Sequence, residues 1–131
     1  MNRIVLALGF LFSMTTAVHS ALAEEALVTQ DGDLSEATVL QQGLGNTASL
    51  YQHLGLSNIG AITQSGSDNQ ATIEQYGDGN QASQVQTGNG NMAEIVQENG
   101  NNQATQIQIG NNLSNSIHQT GGMAVTVTQT Q

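Results

Sequence analysis

Residues 69–86 read NQATIEQYGDGNQASQVQ, and this stretch decides the fold because it holds two short alternating runs separated by a Gly/Asp/Asn turn. In the first run, Ala71, Ile73 and Gln75 fall on every second position, which is the period of a β-strand. The second run, residues 82–86, has the same build. The stretch therefore predicts strand, turn and strand.

The same phrase recurs along the chain in nine units. A glutamine returns every eleven residues, except for one step of twelve between Gln52 and Gln64. The column of glutamines is Gln30, Gln41, Gln52, Gln64, Gln75, Gln86, Gln97, Gln108 and Gln119. Disorder would suit a polar chain with few aromatic residues, but nine aligned copies indicate a repeat architecture.

Other residue types keep fixed offsets from these glutamines. In alternate units an aliphatic residue stands two positions earlier: Val28, Leu50, Ile73, Ile95 and Ile117. Glycines that suit a sharp turn stand two positions later: Gly43, Gly66, Gly77, Gly88 and Gly110. Asparagines stand five positions later: Asn46, Asn69, Asn80, Asn91 and Asn102. Each unit therefore predicts a five-residue strand followed by a Gly/Asn turn.

The true period is two units, because residues 81–86 and 103–108 match each other better than their neighbours and lie 22 positions apart. An eleven-residue spacing also occurs in helical coils, but frequent glycine and the two-residue alternation exclude helices. We expect an all-β, two-sheet β-solenoid with five strand–turn–strand turns and amyloid-like cross-β stacking.

The alternation places the glutamines on the same face as isoleucine and alanine, which favours inward over solvent-facing glutamines. Stacked amides would then form ladders inside a thin core, and we expect these columns to mediate self-assembly. The second sheet has the more polar inner column, Val39, Ile62, Gln84, Gln106 and Val127. Leu40, Val85, Val96 and Ile107 would point outward. Either they form a lateral patch, or residues 82–86 and 104–108 face the other way.

The first residues have the features of a secretory signal peptide. Arg3 precedes an apolar run at 4–12, and an A-x-A cleavage signal ends at Ala23. The run is shorter than the ~20 residues of a membrane-spanning helix. We expect residues 1–23 to be removed and residues 24–131 to form one repeat domain that does not span a membrane.

The mature chain would keep all ten carboxylates and no Lys or Arg, which argues against nucleic-acid partners. The carboxylates fall mainly on outward or turn positions, where they either solvate the surface or delay stacking until pH falls. His53 and His118 lie about three turns apart, too far to share a metal. The segments 31–33 and 78–80 lack the spacing of calcium loops. We expect neither a cofactor nor enzyme activity.

Three segments carry a family resemblance: QYGDGNQASQVQ (75–86), QTGNGNMAEIVQ (86–97) and QQGLGNTASLYQ (41–52). They resemble the curlin family, the secreted subunits of bacterial curli amyloid fibres. The resemblance implies a β-solenoid subunit that is exported unfolded and polymerises outside the cell into a biofilm fibre. It also implies partners: a sister curlin subunit, and dedicated secretion and chaperone proteins.

The family has a major fibre subunit and a minor, nucleating subunit. The closing MAVTVTQ (123–129) resembles the last repeat of the nucleator, and the Gly-rich leading segment of the major subunit is absent. The nucleator's terminal repeats are usually basic, however, and these are not. The competing function class is a monomeric secreted β-solenoid that acts as a binding module, either an adhesin or an ice-binding protein. Ice binding needs a repeated Thr ladder, and the T-x-T of Thr126 and Thr128 is not continued in the other repeats.

Overall fold

The computed structural model describes residues 3–8, 13–19 and 24–131, and every regular element in these residues is a β-strand. The predicted cleavage site at Ala23 lies outside the described residues. The strands are β1 (Arg3–Leu8), β2 (Ser13–His19), β3 (Glu25–Asp31), β4 (Glu36–Leu44), β5 (Thr47–His53), β6 (Ile59–Ser67), β7 (Gln70–Tyr76), β8 (Gln81–Asn89), β9 (Met92–Glu98), β10 (Gln103–Asn111), β11 (Ser114–Thr120) and β12 (Ala124–Thr130).

The strands form two parallel sheets that alternate along the chain. The first sheet has the order β1-β3-β5-β7-β9-β11, and the second has the order β12-β10-β8-β6-β4-β2. Paired residues are equivalent residues of successive repeats, as in the pairs Ile73 with Ile95 and Gln84 with Gln106. The predicted all-β, two-sheet β-solenoid is confirmed, and β3 to β12 make its five turns. β1 and β2 continue both sheets by one further layer.

The strands are longer than the five residues expected from the sequence. Those from β3 onward have seven residues in the first sheet, and in the second sheet β4, β6, β8 and β10 have nine. Four of the predicted turn glycines, Gly43, Gly66, Gly88 and Gly110, therefore lie near the ends of strands, whereas Gly77 follows β7. All five have a positive φ.

Glycine is needed at these bends for a second reason, which is the close approach of successive layers. A Cβ added to Gly43 would overlap the carbonyl oxygen of Gly66, and one added to Gly66 would overlap that of Gly88. Glycine avoids both the overlap and the strained φ because it has no Cβ. Glycine therefore allows the chain to bend here while the layers stay hydrogen-bonded. In the corresponding column of the other bend, Asn99 takes the glycine position with a φ of 76°.

The core lies between the two sheets and is one aliphatic column wide. Val28, Leu50, Ile73, Ile95 and Ile117 form the buried column of the first sheet. Small residues flank it: Ala26, Ala37, Ala48, Ala71, Ala82, Ala93 and Ala104. Gly60 replaces alanine in one layer, where an added Cβ would lie 2.8 Å from Leu50 Cδ1. The missing methyl group at Gly60 thus makes room for the longer side chain of Leu50.

The orientation of residues 82–86 and 104–108 was left open by the sequence. Gln84 and Gln106 are buried, whereas Val85 lies on the opposite, partly exposed side of its strand. Ile107 has the same outward position in β10. These strands therefore face the same way as the others, and the outward aliphatic residues belong to the outer surface.

Candidate assembly site

The glutamines of the first sheet form a continuous amide ladder. Gln52 Nε2 donates to Gln75 Oε1 at 2.9 Å, and Gln75 Nε2 donates to Gln97 Oε1 at 2.9 Å. The ladder begins at Gln30, which donates to Gln52 at 2.7 Å, and ends at Gln119, which accepts from Gln97 at 2.9 Å. Every donor lies one layer before its acceptor, so the ladder has a direction along the chain.

Each interior glutamine also ties the two sheets together. Gln75 Nε2 donates its second hydrogen to the carbonyl oxygen of Ile59 in the second sheet at 2.9 Å. Gln52 and Gln97 make the same bond to Glu36 and Gln81, at 3.0 and 2.9 Å. A buried interior glutamine thus makes three hydrogen bonds, which offset the cost of removing its amide from water.

The second sheet carries an equivalent ladder with the same direction. Gln41 donates to Gln64, Gln64 to Gln86, and Gln86 to Gln108, each at 2.9 Å. The last rung joins Gln108 Nε2 to Gln129 Oε1 at 2.8 Å. The structure therefore places all nine glutamines of the repeat column inside, in two ladders that run in parallel.

Gln84 and Gln106 make a third ladder of only one rung. Gln84 Nε2 donates to Gln106 Oε1 at 3.3 Å and to the carbonyl of Thr72 at 2.9 Å. In the layer before Gln84 the paired residue is Ile62, which has no amide to donate. Gln84 Oε1 consequently has no hydrogen-bond partner within the described part of the chain.

The asparagine columns line the bends between the sheets. Asn69 donates its backbone amide to Asn46 Oδ1 at 3.1 Å and its Nδ2 to the carbonyl of Gly88 at 2.9 Å. Asn91 repeats both bonds with its own neighbours, at 3.0 and 2.9 Å. At the other bend, Asn80 and Asn102 form the same side-chain-to-backbone bond at 3.2 Å. These side chains bind polar backbone groups that the turns leave without strand partners.

Glu24 occupies the first described position of one asparagine column, 22 residues before Asn46, and the sequence reasoning missed it. Its side chain is 1% exposed, unlike the outward and turn carboxylates. Burial raises the pKa of Glu24, and the nearby Asn46 side chain and Gly43 backbone lower it by less. Neither carboxylate oxygen has a partner in hydrogen-bonding geometry among the residues described. The 22-residue spacing was the signal that could have identified it.

The direction of the ladders makes the two ends of the solenoid different. At the end towards the amino terminus, Gln41 Oε1 has no partner in the described residues. At the other end, Gln119 Nε2 of the first sheet donates to two carbonyls, those of Gln103 and Met123, at 3.1 and 3.0 Å, whereas Gln129 Nε2 of the second sheet donates to one, that of Ser114, at 3.2 Å. In the second sheet, one end of the described ladder thus has an unpaired amide oxygen, and the other end has an unused amide hydrogen.

The histidines lie on the outer face of the first sheet and do not meet. His53 stacks between Tyr51 and Tyr76, with ring centroids 6.0 and 5.4 Å apart. Burial, followed by the negative charge of Glu74, raises the pKa of Tyr76. His118 Nε2 lies 3.7 Å from Glu98 Oε2 on the exposed surface. His53 and His118 therefore contact different side chains.

The acidic turn segments meet at an open cavity of about 530 Å³, where Asp31, Asp33 and Asp78 join the lining. Asp78 Oδ1 there accepts the backbone amide of Leu56 at 2.8 Å, which is turn chemistry. Among the described residues, no group of three or more His, Cys, Asp or Glu side chains could hold a metal ion. The part of the chain described also has no helix that is long and apolar enough to cross a membrane.

Comparison with known proteins identifies the repeat. The family model described as Curlin associated repeat matches residues 25–53, 55–87 and 66–98, which together cover more than half of the chain. A search of curated proteins finds no match, and a search of solved structures finds none. The matched residues include three of the four rungs of the first-sheet ladder and two of the four rungs of the second-sheet ladder.

Proposed function

Because this chain belongs to the family of curlin-associated repeat proteins, we propose that it is a structural subunit of an extracellular curli-type amyloid fibre. In this proposal the chains stack end to end, and each solenoid continues the sheets of the one before. The observation that carries it is the direction of the glutamine ladders. In the second sheet, the unused amide hydrogen of Gln129 at one end matches the unpaired Oε1 of Gln41 at the other.

The two ends fit each other once residues 1–23 are removed as a signal peptide. β3 and β4 then form one edge of the solenoid, and β11 and β12 form the other. Unpaired strand edges are templates for further strands. Because the donor end of one chain meets the acceptor end of the next, the contact does not close and generates an open filament.

The backbone at the carboxyl-terminal edge offers both amide hydrogens and carbonyl oxygens to a further layer. The amides of outward residues donate towards the following layer, as Gln81 does to Asn102 at 2.8 Å and Gln103 does to Met123 at 2.7 Å. By this pattern the amides of Thr126 and Thr128 in β12 point towards the open edge. In the fibre, these amides would donate to β4 of the next chain.

In its cellular setting, the proposed subunit is secreted, forms a homopolymer, also associates with a sister curlin subunit, and contributes to biofilm formation and surface adhesion. Secretion and chaperone proteins would hold it unfolded until export. The family consists of structural fibre subunits, which supports a role that is not enzymatic. Between the two subunit types we favour the minor, nucleating one, because of the closing segment 123–129.

The proposal is tested first with purified chain 24–131. We expect fibres with a cross-β reflection near ~4.7–4.8 Å. Persistent monomer without this reflection would favour the monomeric binding module. For the subunit type, a small proportion of these fibres should shorten the lag of a sister curlin subunit, and an unchanged lag would argue against the nucleating role.

The end-to-end geometry is tested by a chain carrying Thr126→Pro and Thr128→Pro. Proline removes two amides of the open edge and leaves the bonds from β12 back to β10 in place. Such a chain can join a fibre through its intact edge but then blocks that end. When the variant is mixed with wild-type chain, we expect labelled wild-type seeds to continue growing at one end only, as seen by fluorescence microscopy. Continued growth at both ends would refute head-to-tail stacking.

A further inference from the structure

The charges of residues 24–131 are divided unequally between the outer faces of the two sheets. Five of the ten carboxylates of the chain lie on outward positions of the first sheet: Glu25, Asp31, Glu74, Glu94 and Glu98. His53 and His118 share this face. In residues 24–131 the outward positions of the second sheet include one charged side chain, Glu36, at the start of β4. We call the outer face of β4, β6, β8, β10 and β12 the neutral face.

The neutral face consists of stacked small and β-branched side chains. One column contains Thr38, Ala61, Ser83, Thr105 and Thr126, and the next contains Leu40, Thr63, Val85, Ile107 and Thr128. A shallow groove of about 170 Å³ runs along Ile59, Ala61 and Ser83. The outward aliphatic residues of the second sheet thus have a common location, between rows of hydroxyl-bearing residues.

We propose that the neutral face packs against the neutral face of a second fibre of the same chain, so that fibres pair laterally. This inference rests on the proposed fibre. Two copies of a chain with a net charge of −9 repel each other, and burying the carboxylates of the first sheet would remove charges from water without partners. The neutral face avoids both costs, because its only carboxylate lies at the edge. Its threonine and aliphatic side chains are of the kind that interdigitate between packed sheets.

The area of the neutral face explains why we expect pairing between fibres and not between two isolated chains. Five layers at ~4.8 Å and nine-residue strands of about 30 Å give roughly 720 Å² per chain, or about 1,440 Å² for two chains. Stable interfaces bury about 1,200–2,000 Å², so two isolated chains reach only the lower part of this range. In a fibre the same area is added with every subunit, about every 24 Å. Pairing therefore follows filament growth.

Cysteine accessibility tests the proposal without adding charge, because the chain contains no cysteine. Ser83→Cys places a thiol on the neutral face, and Ser49→Cys places one at the equivalent third position of β5 on the first sheet. Both serines are half-buried outward residues. End-to-end stacking covers neither. We expect maleimide to label Cys at 83 at least tenfold more slowly in fibres than in monomer, while labelling at 49 stays unchanged. Equal labelling of both sites in fibres would overturn lateral pairing through this face.

A matched pair of charge variants gives a second measurement. Ser83→Glu adds a carboxylate beside Ala61 and Thr105, and Ser49→Glu adds one beside Leu27 and Thr72, so both have uncharged neighbours in their columns. By electron microscopy we expect Ser83→Glu to reduce paired fibres severalfold and Ser49→Glu to leave them as in wild type. Fibres that pair equally in both variants would overturn lateral pairing through the neutral face but would leave the proposed fibre standing. A wild-type chain that forms no fibres would overturn the proposed function as well.

Discussion

Two glutamines with the same burial should respond very differently to the same substitution. Gln75 and Gln84 are both fully buried; Gln75 is the sixth of the seven residues of β7, and Gln84 is the fourth of the nine residues of β8. Gln75 makes three hydrogen bonds, whereas Gln84 makes two and has an unpaired Oε1 in the described structure. We predict that Gln75→Leu destabilises the fibre strongly and that Gln84→Leu does so weakly.

The magnitude follows from the groups that each change leaves without a partner. Gln75→Leu removes a bonding partner from Gln52 Nε2, from Gln97 Oε1 and from the carbonyl of Ile59, at ~1–3 kcal/mol for each group. We expect a loss of about 3–6 kcal/mol. Gln84→Leu leaves Gln106 Oε1 and the Thr72 carbonyl without this donor, but it removes the unpaired oxygen and extends the aliphatic column from Ile62. The expected change is within about 1 kcal/mol of wild type.

The assay measures the concentration of chain that stays in solution after fibres reach equilibrium and are pelleted. Each tenfold rise in this concentration corresponds to about 1.4 kcal/mol. In urea chosen to bring wild type into a measurable range, Gln75→Leu should raise the soluble concentration by about 100-fold or more, and Gln84→Leu by less than about 5-fold. Equal effects would refute the reasoning, because burial alone and not hydrogen-bond pairing would then set the cost.

Three further predictions use the same assay. Gly60→Ala should cost ~1–3 kcal/mol because its methyl group meets Leu50 at 2.8 Å; Leu50→Val should rescue it, and additive effects would argue against this contact. Gly88→Ala should destabilise more than Gly79→Ala, since both have a positive φ but an added Cβ would overlap a carbonyl oxygen at Gly88 and would meet only the Asn101 side chain, at 3.1 Å, at Gly79; equal losses would exclude the stacking overlap. In the chain 1–131, burial raises the pKa of Glu24, so the ionised carboxylate disfavours the folded layer, and the stability measured on this chain should increase as the pH falls through the raised pKa towards the ordinary value of 4.5. Glu24→Asn should be more stable than wild type at pH 7 and lose this part of the pH dependence, and an unchanged profile would show that Glu24 does not contribute.

The period of the sequence was sufficient to predict the two sheets, because alternation decides which face each residue occupies. Ile73 and Gln75 share a face, and the 22-residue spacing decides that Ile95 and Gln97 stack on them. The orientation of residues 82–86 was not decidable in the same way. Glutamine is compatible with an inward ladder or a solvated surface, and the valine beside Gln84 is compatible with either side.

The sequence reasoning missed two features for a physical reason. Glu24 stands 22 residues before Asn46, but it lies at the predicted cleavage site, and a carboxylate is usually exposed and was not expected in a buried column. The fit of Leu50 into the space at Gly60 depends on contact between the two sheets, and residues that belong to different columns do not reveal this contact by spacing. Periodicity predicts neighbours within a sheet better than neighbours across the core.

The irregular positions in the repeat give the solenoid its register. Nine nearly identical units could pair with any layer, because a slip by one whole turn places glutamine on glutamine again. Gln84 and Gln106 find an amide partner in this column only when β8 and β10 are adjacent. A layer displaced by one whole turn would place them beside aliphatic residues of the column and leave both amides without their rung. The regular columns thus supply the stacking energy, and these few departures specify which layers become neighbours.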